Sequence, residues 1–166
     1  MGNSYDKLYH MTQKQQSVPS PLFDTLEQFK STALNLSSSA KVHPADFQHA
    51  FDFLYSYRGS LATFNAYRRE LERLLHWSWH INQKNLRQLR RNDIEQFIDF
   101  CQNPPKHWIG TKNVARFMNQ EGRRIPNPHW RPFVASVSKT ARRTGNTAKA
   151  EDYALSQKAL QAIFAV

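Results

Sequence analysis

The chain holds 166 residues in 19.4 kDa, and its 40% apolar and 13% aromatic content can bury a real core and excludes wholesale disorder. Its one cysteine, Cys101, excludes an internal disulfide and fits a reducing cytoplasm. No apolar run approaches the roughly 18 residues of a membrane span, and the net charge is +10.

That charge is unevenly placed. Residues 100–150 hold ten basic side chains and one acid, Glu121, so this window alone supplies +9. A block this one-sided repels itself unless something anionic faces it, which points to nucleic acid. The plainer reading is a solvated basic loop that keeps the chain soluble.

Residues 1–20 are polar and Gln-rich, end in the Ser17-Val18-Pro19-Ser20-Pro21 punctuation, and read as a flexible leader to one domain over 21–166. Phe23, Leu26, Phe29 and Ala33 predict a helix from Phe23 to about Leu34, followed by a linker at Leu36–Ala40. His43-Pro44 opens the next helix, with proline at its first helical position. Phe47, Phe51 and Leu54 form its buried stripe.

Ser60, after Arg58-Gly59, reads as the N-cap of a long helix. Leu61, Phe64, Leu71, Leu74, Leu75 and Ser78 recur at helical spacing, with Tyr67 at the stripe's edge, and are expected to bury one side. Thr63 falls in the exposed first turn, with Arg68 and Arg69 about a turn and a half further on. Free helix amides, a hydroxyl and nearby guanidinium groups are suited to hold a phosphate. For Arg68, Arg69 and Arg73 the plainer reading is pairing with Glu70 and Glu72. Two acids among three arginines still leave one guanidinium over.

A turn follows around Asn82–Asn85. Asn92 is the expected N-cap of the next helix, with Glu95 at N3. Ile94, Phe97, Ile98 and Cys101 face inward, and Pro104-Pro105 ends the element. The tract 104–133 reads as an irregular elaboration with a helix near Thr111–Asn119. Its Asn127-Pro-His-Trp-Arg-Pro-Phe133 interleaves aromatics with a guanidinium, as base-stacking surfaces do. The favoured reading is that Trp130 and Phe133 pin the tract to a helical core. Ser136–Lys149 begins helical until Thr144-Gly145-Asn146-Thr147 breaks it, and Lys139, Arg142 and Arg143 there are phosphate candidates. Ser156 caps a last helix carrying Leu160, Ile163, Phe164 and Val166, whose pattern stops as at a domain edge.

The words Ser60-x-x-Thr63-x-x-x-Tyr67-Arg68-Arg69-x-Leu71-x-x-x-x-x-Trp77 resemble the second helix of the core-binding, SAM-like domain of tyrosine recombinases (phage integrases). Leu86-x-x-Leu89-x-x-x-Asp93-Ile94-x-x-Phe97-Ile98 resembles that family's next element. Ser156-x-Lys158-Ala159-Leu160-x-Ala162-Ile163 resembles the start of its final helix. The likeness covers residues 44–102 and 151–166, with 103–150 as a long basic insertion.

The resemblance implies an all-α fold, a small orthogonal bundle of four to six helices. It implies binding of double-stranded DNA at a recombination core site, beside other recombinase protomers, with no membrane and in a cytoplasmic, nucleoid-associated setting. The DNA-facing positions it implies are Ser60, Thr63, Arg68 and Arg69 on one element and Ser156 and Lys158 on the other. Arg58, Lys139, Arg142 and Arg143 join them by charge and position. The family's catalytic Arg, Lys, His-x-x-Arg and tyrosine lie in a C-terminal domain. No His-x-x-Arg occurs here, so a truncated, non-catalytic fragment without a cofactor is expected.

His76-Trp-Ser-Trp-His80 spaces two imidazoles by one turn, as a helical zinc pair does. No Glu follows His76 and no third ligand is evident, so packing is expected and metal is not. The rival reading is a basic helical RNA-binding or ribosome-associated protein. A third is a protein-interaction module with an incidental charge block.

Overall fold

The computed structural model describes residues 18–36 and 42–165; the expected leader up to residue 17, residues 37–40 of the expected Leu36–Ala40 linker, Lys41 and Val166 lie outside them. Among the described residues the helices are α1 (Phe29–Leu36), α2 (Pro44–Tyr55), α3 (Leu61–His80), α4 (Arg91–Gln102), α5 (Lys139–Arg143) and α6 (Gln157–Ala165). Four short strands, β1 (Ile109–Gly110), β2 (Phe117–Gln120), β3 (Arg123–Pro126) and β4 (Phe133–Val134), lie between α4 and α5. The fold is the expected small helical one, with the basic insertion as its β-containing part.

The helix starts follow local chemistry. At α2 the His43 ring accepts the Asp46 amide at 3.2 Å, and Pro44 occupies the first turn. At α6 the Ser156 hydroxyl accepts the Ala159 amide at 3.1 Å, and at α5 Ser138 does the same for Ala141. The helix expected from Phe23 begins only at Phe29. The Leu22 and Phe23 amides are instead taken by Glu72, and Asp24 spends its carboxylate on the Thr25 amide and Thr32 hydroxyl. Asn92 is not a cap either. Asp93 accepts the Arg90 amide at 2.7 Å, so Arg90 is the N-cap and the helix starts earlier.

Helix α3, about 30 Å long, separates two cores. Leu22, Phe23, Phe29, Phe47, Leu54, Phe64, Leu71 and Leu75 form the first, between the N-terminal segment, α1, α2 and α3. The second gathers Trp77, Phe97, Cys101, Trp108 and Phe133, with Tyr153, Leu155 and Ile163 packed against it. Leu61 belongs to neither: it is 59% exposed, because the first turn of α3 projects past its neighbours.

No helix forms near Thr111–Asn119. β2 and β3 pair antiparallel there, Phe117 opposite Pro126 and Gln120 opposite Arg123. Glu121 (φ 50°) and Gly122 (φ 77°) make the two-residue turn, the left-handed pair that matches the twist of a tight hairpin. β1 and β4 pair parallel, Ile109 opposite Phe133, and close the insertion on itself. Trp108, Trp130 and Phe133 are buried and pin it to the helices, as the favoured reading held.

Glu72 is the hinge of this arrangement. Its carboxylate is 1% exposed, holds the Leu22 and Phe23 amides at 3.1 and 3.2 Å, and pairs with Arg116 of the insertion. Glu72→Gln leaves Arg116 without its counter-charge, and a buried pair broken on one side costs about 3 kcal/mol. Urea denaturation should show that loss. A change below about 1 kcal/mol would mean that Glu72 does not anchor the insertion.

Candidate nucleic-acid interface

Along one side of α3 runs a groove of about 700 Å³. Its walls come from α3, residues 113–117, residues 130–136 and the segment Tyr153–Ser156 before α6. Seven arginines line it: Arg68, Arg69 and Arg73 from α3, with Arg116, Arg124, Arg131 and Arg142 from the insertion.

Three buried carboxylates hold part of this charge in place. Glu70 takes Arg69 at 2.9 Å and Arg73 at 3.2 Å, while Arg73 also donates to the Pro132 carbonyl at 2.9 Å and lies over the Phe133 ring. Glu72 takes Arg116, which lies over Trp130. Asp24 takes Arg124 through two bonds, 2.9 and 2.7 Å. Burial raises the Asp24 carboxyl, but bonds from Arg124, Thr32 and the Thr25 amide outweigh it and leave it below its usual range.

Arg68 has no carboxylate of its own. One of its nitrogens donates to the Asp24 carbonyl at 2.7 Å, and its buried Nε has no partner among the described residues. Burial, and then Arg116 beside it, pull its guanidinium down to about 10. An extra anion at this spot would relieve both strains.

Four of the ten sequence candidates meet at this groove: Arg68, Arg69, Arg142 and Ser156. The other six do not line it. The Ser60 hydroxyl is spent on Thr63 at 2.9 Å rather than on a helix amide, so the two occupy each other at the start of α3. Arg58 folds back over the Tyr55 ring and donates to the Tyr55 carbonyl at 3.0 Å. Lys139, Arg143 and Lys158 are exposed outside the lining. Missed from the sequence as groove residues were Arg73, Arg116, Arg124 and Arg131. Three of these stood in the +9 window, but nothing local showed which of its bases turn inward.

The family described as "Phage integrase, N-terminal SAM-like domain" matches residues 49–122. This segment is similar to a phage integrase SAM-like domain. It runs from α2 through α3 and α4 to the β2–β3 turn, so the matched segment supplies Arg68, Arg69, Arg73 and Arg116 of the groove. Neither the curated proteins nor the solved structures yield a match to the chain.

Two tyrosines of the matched segment, Tyr57 and Tyr67, pack edge to face at 4.8 Å. Tyr153 lines the groove, yet its hydroxyl donates to the Cys101 carbonyl at 2.7 Å, and burial pushes it up to about 12. Tyr55, on the far side, is lowered by Lys30 and then Arg58. Burial likewise pushes the Cys101 thiol up to about 12.

The His76–His80 pair of the matched segment is packing. The His76 ring stacks on His80 at 5.6 Å and lies against Trp79, Trp108 and Trp130. Neither His76 nitrogen makes a hydrogen bond of good geometry among the described residues, although the Ser20 backbone lies within its reach, and no cluster of metal-ligating side chains forms there. Burial, and then His80 beside it, push His76 down to about 3. Its ring is therefore neutral when folded but protonates near 6.5 when unfolded. This contribution is complete above about pH 6.5 and is lost as pH falls toward 3. Melting temperature should drop through that window, and His76→Phe should flatten the drop by up to about 1.4 kcal/mol per pH unit. An unchanged acid profile in His76→Phe would contradict it.

Proposed function

We propose that the chain binds double-stranded DNA as the core-binding part of a tyrosine recombinase, with one sugar–phosphate strand lying in the arginine groove. The observation that carries this reading is the groove's surplus of positive charge: three carboxylates pair with only four of its seven guanidinium groups, and the buried Arg68 Nε has no partner among the described residues. Phosphate oxygens are suited to that position, since they accept several charge-assisted bonds at once. The match to the phage integrase domain favours DNA over the other polyanions. The groove lies on α3 and ends at the Ser156 cap, so the two elements expected to face DNA border one channel.

If four to six phosphates are neutralised, log K should fall against log salt with a slope of roughly −4 to −5. Titration of random-sequence duplex at several salt concentrations measures it. A slope near zero, or tighter binding to structured RNA at matched salt, would overturn the reading. Arg142 and Arg143 are exposed and make no ion pair among the described residues. Changing both to alanine should weaken binding to all duplexes alike and make the slope about one to two units shallower, with melting unchanged.

The chemistry of strand exchange is assigned elsewhere. A tyrosine nucleophile needs neighbours that take its proton and stabilise the phosphoryl transition state, whereas Tyr153 is fixed as a donor to a carbonyl. A nicked suicide duplex should therefore form no covalent adduct with this chain on denaturing electrophoresis. A strand-shifted protein band would show a catalytic site within it.

A further inference from the structure

The β2–β3 hairpin borders the groove but points only half of its side chains at it. Phe117, Asn119, Arg124 and Pro126 share one face. On that face Phe117 is buried, Arg124 is tied to Asp24, and both line the groove. Met118, Gln120, Arg123 and Ile125 share the other face. Met118 is 42% exposed, Gln120 and Arg123 are exposed, and Arg123 has no ion-pair partner among the described residues.

The base of this ribbon is held firmly. Arg116 is fixed by Glu72, and the Asn127 amide donates to the Arg116 carbonyl at 2.9 Å. The Asn127 side chain also donates to the Ala115 carbonyl at 2.9 Å. The Arg124–Asp24 fork then locks the second strand to the N-terminal segment. The anchored face thus leaves the free face to a partner. Solvent alone gives no reason to present a methionine and an isoleucine beside a glutamine and an arginine.

We propose that the hairpin is the sequence-reading element of this domain, entering the major groove of duplex DNA with its free face toward the bases. This rests on the duplex-binding reading above. A two-stranded ribbon fits the major groove, which is about 12 Å wide. The cross-strand pair Gln120 and Arg123, next to the turn, carries the two head groups that pair bidentately with adenine and guanine. Met118 and Ile125, one step down, offer apolar contact to thymine methyls. The phosphate strand in the arginine groove would flank the ribbon, because Arg124 on β3 and Arg116 just before β2 line that groove. Glu121 is the one acid on the hairpin; it sits in the turn, where it can accept only from cytosine.

The test is selection from a pool of random 20-bp duplexes by the full chain and by the double variant Gln120→Ala with Arg123→Ala. The wild type should enrich a short motif containing guanine or adenine, and changing one such base should weaken binding roughly 5- to 150-fold. The double variant should lose that discrimination, bind random duplex no more than about tenfold more weakly, and melt as the wild type does. If the wild type binds duplex with the expected salt slope yet enriches nothing, the hairpin proposal falls and duplex binding stands. It falls equally if the double variant enriches the same motif. If the wild type binds no duplex at all, both readings fall together.

Discussion

Everything in this molecule hangs on how three carboxylates are buried. Glu70, Glu72 and Asp24 are each 1% exposed, and each is paired with at least one arginine. Ionised groups cannot be left unpaired in such surroundings. The insertion must therefore fold where Arg116 and Arg124 can meet their partners, and the segment before α1 must stay extended so that its amides reach Glu72. One electrostatic demand fixes the path of two stretches of chain that have little regular structure of their own.

The same demand explains how so many guanidinium groups can crowd one side of α3. Glu70 pairs with Arg69 and Arg73, Glu72 with Arg116 and Asp24 with Arg124, so four of the crowded guanidinium groups have a buried counter-charge beside them. Arginine suits this use, since its planar fork offers several donors and stays charged under partial burial. Apolar backing completes the support: Arg73 lies over Phe133 and Arg116 over Trp130. Arg69, Arg73, Arg116 and Arg124 are thus held in place by the folded chain itself.

Legibility from the sequence followed the range of each interaction. The starts of α2 and α6 could be read because His43-Pro44 and Ser156 act on amides within three residues. The breadth of the α3 stripe could be read from its period, although Leu61 at its end could not, because periodicity does not show where neighbouring helices stop. The hairpin stayed hidden because Glu121-Gly122 is a weaker turn signal than Asn-Gly and because Phe117 and Met118 blur the alternation. The fixed arginines were out of reach. Arg116 meets Glu72 across 44 residues and Arg124 meets Asp24 across 100, and no local pattern encodes such pairs. Family likeness pointed to the α3 arginines, but it could not show that Ser60 and Thr63 satisfy each other.

The residues that match the integrase family, 49–122, are not a unit that could be cut out and studied alone. The cut at Gly122 would pass through the middle of the hairpin turn and detach β3 from β2. The cut before residue 49 would discard Phe23, Phe29 and Phe47, including the Phe29 ring that packs edge-on against Phe64, together with Asp24. Phe133 would be missing from the second core and the Pro132 carbonyl from Arg73. Family likeness and cooperativity thus draw different borders on this chain: the matched segment carries the recognisable helices, while the folding unit reaches at least from Leu22 to Ile163.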